Sequence, residues 1–355
     1  MSKQILLVHP ARSRNYYTPY PPLGLLKYAQ YHLALGDIVH LVRGPSSRLF
    51  NPDIIYITSL FTYSWRPVHD CIRSYRKRYP RARILVGGIY ASLLPEKIRE
   101  EFSDSVEIIP GVNSELDNIM PDYSLVPKWD TSLIISSRGC PRKCSFCSVS
   151  TIEPNFTALK SISHLVLPWH NKIMFWDNNI LASPYCLDIF HELSSFRKQV
   201  DFNQGLDARL LTPPLVEALT KISISYIRLS FDDATMYKPL DSAITLLRAY
   251  DYPNGHIFVF ALYNHDSGPD EYFYRVKFLL NRGCTVYPMR YEPYLTAQKR
   301  TYISPFWTKD SLDMVVRAQG AMGFNGVFPP SKLFIQKFNR AKNFTQAFKL
   351  NNYPS

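Results

Sequence analysis

Arg138-Gly-Cys-Pro-Arg-Lys-Cys-Ser-Phe-Cys147 decides how the chain is read. Its cysteines, Cys140, Cys144 and Cys147, stand in the spacing C-x3-C-x2-C. Three thiolates on one short loop can each hold one iron of a cubane cluster, which leaves the fourth iron without a protein ligand. Iron–sulfur clusters are ordinarily ligated by cysteine throughout, so an open corner points to a coordination site kept for another molecule. A structural zinc site would want four ligands, usually as two paired clusters. No further C-x2-C pair exists, and His164 and His170 lie on a poorly patterned stretch. A disulfide framework is disfavoured as well, because six cysteines in 355 residues are sparse and three of them crowd into this loop. Cys71, Cys186 and Cys284 sit alone in apolar or helical contexts and read as core thiols.

The rest of the composition fits an enzyme with large cores. The hydrophobic share is 46%, with 24 Tyr and 21 Phe, and 355 residues suit two domains. No apolar stretch reaches the length of a membrane span, and Met1-Ser-Lys-Gln-Ile-Leu6 lacks the apolar core of a signal peptide. A cytoplasmic location is expected, since an oxygen-sensitive cluster needs a reducing compartment. The formal charge is +12, and basic residues bunch over Arg73-Ser-Tyr-Arg-Lys-Arg-Tyr-Pro-Arg-Ala-Arg83 and between Lys332 and Lys349. A basic surface can track RNA or DNA. The first run, however, reads as the solvated end of a helix leading into a strand, and net charge alone speaks to nonspecific association. Nucleic acid is kept as a partner of second choice.

The first half alternates strands and helices. Ile5–His9, Ile38–Val42, Ile54–Thr58, Arg83–Gly87 and Val106–Ile109 read as strands. Pro22–Leu35, residues 67–79 and residues 95–102 read as helices, the first with Pro near its start and Gly36 at its end. Repeated βα units with nearly all-apolar strands predict a parallel sheet covered on both faces. Ligands on such sheets bind beyond the carboxyl ends of the strands. Thr58-Ser-Leu-Phe-Thr62, Gly87-Gly-Ile-Tyr-Ala-Ser92 and Gly111-Val-Asn-Ser-Glu115 stand there, small and hydroxylated enough for close approach of a bulky ligand.

Strands and helices alternate again in the second half. Ser132–Ser136, Lys172–Trp176, Val200–Asn203, Tyr226–Phe231, His256–Leu262 and Thr285–Arg290 are the six expected strands. Helical patterns fall near 184–197, 213–221, 239–250 and 269–282, with Gly283 a good terminal stop. The strand ends are polar: Asp177-Asn-Asn179, Gln204-Gly-Leu-Asp-Ala-Arg209, Asp232-Asp233 and Arg290-Tyr-Glu292. Such groups also serve as ordinary caps and turn residues.

The cysteine loop resembles the signature of the radical S-adenosylmethionine superfamily. The resemblance implies a 4Fe–4S cluster held by Cys140, Cys144 and Cys147, whose open iron chelates the amino and carboxylate groups of S-adenosylmethionine. Reductive cleavage then gives methionine and a 5′-deoxyadenosyl radical, with electrons from a donor such as flavodoxin or ferredoxin. The first half resembles the cobalamin-binding domain that precedes the radical domain in many of these enzymes. That likeness rests on Pro21-Pro-Leu-Gly24, on Gly87-Gly88 with Ala91 and Ser92, and on Gly111 followed by Glu115. It implies that Thr58, Ser59, Gly87, Gly88, Ser92 and Glu115 lie on the loops cradling the corrin. The Asp-x-His-x-x-Gly motif of other cobalamin proteins is missing, and His69 and His32 lack its context; radical family members commonly lack it too. The alternative is a Rossmann-like scaffold without the cofactor. Methylthiotransferases carry cysteines for a second cluster ahead of the motif, where this chain has only Cys71.

The resemblance also gives the second half roles. Six βα units suit the family's open barrel, with chemistry at the carboxyl strand ends. Phe146 takes the aromatic slot used against adenine. Asp177 and Asn178 stand where the family has a Gly-Gly-Glu-like turn, so the Asp177 carboxylate would pair with the ammonium group. Gln204, Asp207 and Arg209 follow, with Asp207 suited to ribose hydroxyls and Arg209 to the methionine carboxylate. Arg290 ends the sixth strand. Tyr294, Tyr302, Phe306, Trp307, Phe324, Phe328, Pro329 and Pro330 mark a segment that either shapes the substrate pocket or covers apolar barrel wall.

The expected architecture is α/β. A Rossmann-like parallel sheet of cobalamin-binding type spans 1–120, a linker 121–130, a partial (β/α)6 radical barrel 131–293, and a C-terminal extension 294–355. The expected activity is cobalamin-dependent methylation of an unactivated carbon. A cobalamin-independent rearrangement, epimerisation or RNA modification, and a noncatalytic cluster protein that binds nucleic acid, are the alternatives. A peptide, a lipid, an antibiotic precursor and an RNA base all stay open as substrate.

Overall fold

Ile5, Leu6, Leu7 and Val8 form an unbroken apolar run, the pattern of a strand buried on both faces. The computed structural model describes residues 2–10, 20–46, 51–323 and 325–350. In it β1 (Gln4–His9), β2 (Ile38–Arg43), β3 (Ile54–Ser59), β4 (Arg83–Gly88) and β5 (Glu107–Ile109) make a five-stranded sheet in the order β2-β1-β3-β4-β5. Every recorded pairing in it is parallel. Helices α1 (Leu23–Ala34), α2 (Trp65–Arg78), α3 (Ile89–Leu93) and α4 (Pro95–Phe102) connect the strands.

Side chains alternate across a strand, and the two sets find different partners. Leu6, Val8, Ile55, Ile57, Ile84 and Val86 pack with Val68, Cys71, Ile72 and Tyr75 of α2 and Tyr90 of α3. Ile5, Leu7, Ile54, Tyr56 and Leu85 pack with Leu25 and Ala29 of α1. Both faces are covered, so the carboxyl strand ends are where a ligand can reach the sheet.

The next stretch holds β6 (Thr131–Ile134), β7 (Ser137–Arg138), α5 (Val149–Ile152) and β8 (Thr157–Ala158), with β7 and β8 antiparallel. Residues 121–130 are packed down. The buried Tyr123 hydroxyl accepts from the Leu133 amide at 2.7 Å, and the Asp122 amide donates to the Leu26 carbonyl at 3.0 Å. By contacts the chain divides into Met1–Asn171 with Pro293–Lys299 and Lys172–Glu292 with Arg300–Ser355, so the cysteine loop groups with the first sheet.

In the second unit β9 (Lys172–Phe175), α6 (Cys186–Phe196), β10 (Gln199–Phe202), α7 (Pro213–Thr220) and β11 (Ser223–Ile224) come first. Then follow β12 (Ile227–Phe231), α8 (Tyr237–Ala249), β13 (Ile257–Tyr263), α9 (Pro269–Asn281) and β14 (Thr285–Arg290). Strands β9, β10 and β11 pair in parallel, and so do β12, β13 and β14. All of these elements except the two-residue β11, which no apolar run announced, fall where the sequence pattern put them.

Beyond them lie α10 (Lys309–Ala321), α11 (Lys332–Arg340) and α12 (Phe344–Phe348). Phe338 stacks on Phe273 of α9, Phe348 lies against Tyr272, and Trp307 and Phe328 are buried. This part of the extension covers apolar wall, while Phe306 stays 56% exposed; Phe324 lies outside the described residues. Cys71, Cys186 and Cys284 are buried thiols, as their contexts suggested, and burial pushes the last two up to about 12. Among the described residues no helix is long and apolar enough to cross a membrane.

The turn after β4 depends on two glycines in different ways. Gly88 has φ +98°, and a Cβ there would stand 2.1 Å from the Ser59 carbonyl oxygen. At Gly87 a Cβ would meet Ile109 at 3.6 Å, an ordinary contact. Gly88→Ala is therefore expected to cost on the order of 3 kcal/mol, combining a left-handed backbone with a clash. Gly87→Ala should stay within about 1 kcal/mol of the parent. Urea unfolding midpoints of the two variants check the contrast.

Candidate functional site

The cysteine loop leaves β7 through Gly139, whose φ is +75° and where a Cβ would stand 2.6 Å from the Asn155 carbonyl oxygen. Arg138 fixes its start. The guanidinium donates to Asp117 Oδ1 from Nε at 2.9 Å and Nη2 at 2.7 Å, and to Glu153 Oε1 from Nη1 at 3.0 Å. The second oxygen of Glu153 accepts the Gly139 amide at 2.7 Å. Inside the loop the Arg142 amide donates to Cys140 Sγ at 3.4 Å, and the Cys147 amide to the Cys144 carbonyl at 3.1 Å.

Cys140, Cys144 and Cys147 are all half-buried thiols outside any disulfide, and Phe146 is half-buried on the same turn. Among the described residues no three His, Cys, Asp or Glu side chains are gathered to hold a single metal ion. In a cubane each thiolate meets its own iron, so convergence on one ion is not the geometry the cluster asks for. The donor set is soft, anionic when deprotonated, and reachable from solvent, which fits iron–sulfur ligation.

At the carboxyl ends of β3 and β4 the expected hydroxyl groups are occupied by backbone. Ser59 Oγ donates to the Gly87 carbonyl at 2.7 Å and accepts from the Ala91 amide at 3.0 Å. Ser92 Oγ donates to the Gly88 carbonyl and accepts from the Gly111 amide, both at 2.8 Å. These serines bind neighbouring loops to one another. Thr58 is half-buried at the end of β3, and Glu115 is exposed on a short turn. Gly87 and Gly88 leave bare backbone between them.

The second unit gathers several of the predicted residues. Asp177 is buried just past β9, close enough to Cys186 to help raise its thiol, though burial is the larger cause. Asn178 is half-buried and Asn179 buried. Asn179 Nδ2 donates to Asp207 Oδ2 at 3.2 Å, which joins the ends of β9 and β10. Arg209 grips the same carboxylate, with Nε to Oδ1 at 2.6 Å and Nη2 to Oδ2 at 3.1 Å. Gln204 is exposed.

Asp232, at the end of β12, has its carboxyl pushed up to about 6 by burial. The Ser230 hydroxyl, 2.9 Å away, pulls the other way, Asp233 adds to the rise, and Arg275 and Arg209 oppose it. Arg290 turns toward the C-terminal segment, where Nη2 donates to the Tyr302 carbonyl at 2.8 Å.

Asp117 and Glu153 went unsuspected in the sequence, since neither has a motif and they meet Arg138 only through the fold. The basic run at the end of α2 is largely tied down. Arg73 pairs with Asp70 and Glu101, Arg76 donates to the Ala82 carbonyl at 2.9 Å, and Arg83 forks onto Glu107 at 2.9 and 2.8 Å. The carboxylates offset the charge of Arg73 and Arg83, whereas the carbonyl that holds Arg76 leaves its charge in place.

No known family model matches the sequence, and no curated protein matches it. Solved structures do match in fold. One is the radical S-adenosylmethionine methyltransferase TsrM from Kitasatospora setae with cobalamin and a 4Fe–4S cluster bound. It is 13% identical with a TM-score of 0.61, over 83% of this chain and 77% of TsrM. A TsrM structure with tryptophan substrate and the S-adenosylmethionine analogue aza-SAM matches at 11% identity and TM-score 0.61, over 90% and 77%. The cobalamin-dependent S-adenosylmethionine radical enzyme OxsB matches at 15% identity and TM-score 0.51, over 78% of this chain and 52% of its own. The chain therefore has the fold of cobalamin-dependent radical S-adenosylmethionine enzymes, as the cysteine loop and the βα pattern suggested, and spans about half of OxsB.

Asp232 makes a pH signature. Its folded value, about 6, lies above the ordinary 3.8, so the unfolded chain releases this proton first as pH rises. The group costs no stability below the unfolded value, and its full penalty stands above about pH 6. Asp232→Asn is thus expected to gain on the parent by on the order of 2 kcal/mol between pH 4 and pH 8. Paired urea titrations at the two pH values measure it.

Proposed function

We propose that the chain is a radical S-adenosylmethionine enzyme that methylates an unactivated carbon with the help of cobalamin. The observation that carries this is the C-x3-C-x2-C loop, anchored through Arg138 and Glu153, in a chain with the fold of TsrM. Cys140, Cys144 and Cys147 would hold three irons of a 4Fe–4S cluster. When bound, cluster, S-adenosylmethionine and cobalamin would supply reductive cleavage to a 5′-deoxyadenosyl radical and a transferable methyl group.

The chain's own share is binding, orientation and exclusion of water. Phe146 lies on the cluster loop, where an adenine ring would find an aromatic face. Asp177 presents a buried carboxylate to an ammonium group, and Asp207 with Arg209 presents a fixed pair of opposite charges. In this reading residues 1–120 are the cobalamin-binding domain, with Thr58, Gly87, Gly88 and Glu115 nearest the corrin, and Ser59 and Ser92 shaping the loops from behind. Residues 131–293 are the partial barrel, and 294–355 close it. Electrons would come from a donor such as flavodoxin or ferredoxin.

The same serines favour one second reading. With both hydroxyls bonded to backbone, the first sheet fits equally a scaffold without corrin, in a radical enzyme that rearranges or epimerises its substrate.

Anaerobic reconstitution with iron and sulfide, then dithionite, S-adenosylmethionine and methylcobalamin, tests both. Retained corrin with 5′-deoxyadenosine formation is the expected result. Deoxyadenosine without corrin selects the second reading, and neither iron uptake nor deoxyadenosine overturns both. Cys144→Ala should lower deoxyadenosine formation roughly 100-fold or more, beyond what changes outside the ligand shell typically cost.

A further inference from the structure

The Arg138 contacts belong to a larger set in which Lys27 and Asp117 are buried and Arg138 and Glu153 half-buried. Lys27 of α1 is 3% exposed and donates from Nζ to the Asp117 backbone carbonyl at 2.8 Å. Asp117 holds Arg138, and Arg138 holds Glu153, with side-chain exposures of 12%, 19% and 11% respectively. Glu153 in turn holds the amide of Gly139, the residue before Cys140. Contacts thus pass from Lys27 of α1, through the backbone and side chain of Asp117, to Arg138 and Glu153 at the base of the cysteine loop.

Buried ion pairs add little net stability against an apolar core of the same volume, and their best-attested use is to fix register. This one ends on the amide of Gly139, one residue before the first cysteine of the proposed cluster loop. We infer that Asp117 is a positioning residue for the cluster: through Arg138 and Glu153 it sets where Cys140 stands and contributes a buried negative charge to the field at the irons. The inference rests on the cluster proposed above. Reduction potentials of iron–sulfur centres follow net charge and hydrogen bonding around the sulfurs, and a nearby charge in a low-dielectric setting is weakly screened.

Asp117 allows a clean pair of variants, because both recorded side-chain bonds from Arg138 fall on one oxygen, Oδ1. Asp117→Ala removes the anchor and the charge. Asp117→Asn keeps an oxygen at that place and removes only the charge. The full-length variants are reconstituted anaerobically and compared for iron per chain, for the electron paramagnetic resonance line shape of the reduced cluster, and for midpoint potential.

Asp117→Ala is expected to retain roughly half the parent's iron or less, with a broadened signal. Asp117→Asn should return to the parent's iron content and line shape, with the midpoint moved to a more positive value. An Asp117→Ala protein equal to the parent in all three readouts would falsify the inference while leaving the enzyme reading intact. Should circular dichroism show Asp117→Ala unfolded, the midpoint of Asp117→Asn decides, a positive shift in favour and an unchanged value against. A parent chain that takes up no cluster removes the enzyme reading and this inference together.

Discussion

A parallel sheet buried on both faces can meet a ligand only beyond its strand ends, and the chemistry of this chain is arranged around that constraint. In the first unit α1 takes one face and α2 and α3 the other, so bare backbone comes at Gly87 and Gly88 and nowhere along the strand before them. Ser59 and Ser92 then tie the turns after β3, β4 and β5 to one another by four bonds to backbone groups. What they produce is a rigid rim rather than a set of polar contacts. A large planar ligand is better served by such a rim than by flexible donors, since little side-chain freedom is lost on binding.

The same constraint governs the charges. Taking an ionised group out of water is tolerated when it is paired and hydrogen-bonded. Arg138 and Arg275 meet that condition with carboxylate partners, while Lys27 has a backbone carbonyl and burial lowers its ammonium to about 8. Arg275 of α9 is 1% exposed and donates to the Phe231 carbonyl at 2.8 Å and to Glu271 at 2.7 Å. It thereby satisfies backbone acceptors at the end of β12, beside the carboxyl group that titrates late. Buried cations stand beneath strand ends and loop bases, where they fix the turns that carry the polar residues above.

Much of this was legible in the sequence, for reasons that differ by residue. The strands were readable because unbroken apolar runs bounded by Gly, Pro and Asp leave few alternatives, as at Ile5–Val8 and Ile257–Tyr263. The cysteine loop was readable because its spacing is local. Asp117 and Glu153 were not, since a carboxylate far along the chain has no pattern that names its partner. Ser59 and Ser92 were read as ligand-facing because sequence shows a hydroxyl at a strand end but not which way its bonds go. Tyr123 was hidden among prolines that suggested a linker, yet its hydroxyl holds the Leu133 amide.

Asp207 and Arg209 show what the added geometry means for the ligand. Sequence suggested one for ribose and the other for a carboxylate, but the structure closes them on each other, with Asn179 joining from the end of β9. A ligand carboxylate therefore meets a guanidinium already partly neutralised, and its attraction is weaker than to a lone arginine. In the reading proposed above, a zwitterion would set its ammonium and carboxylate against the opposite members of that fixed pair. An amino-acid moiety has this charge pattern and a nucleic-acid backbone does not, which is the electrostatic argument for the S-adenosylmethionine site proposed above.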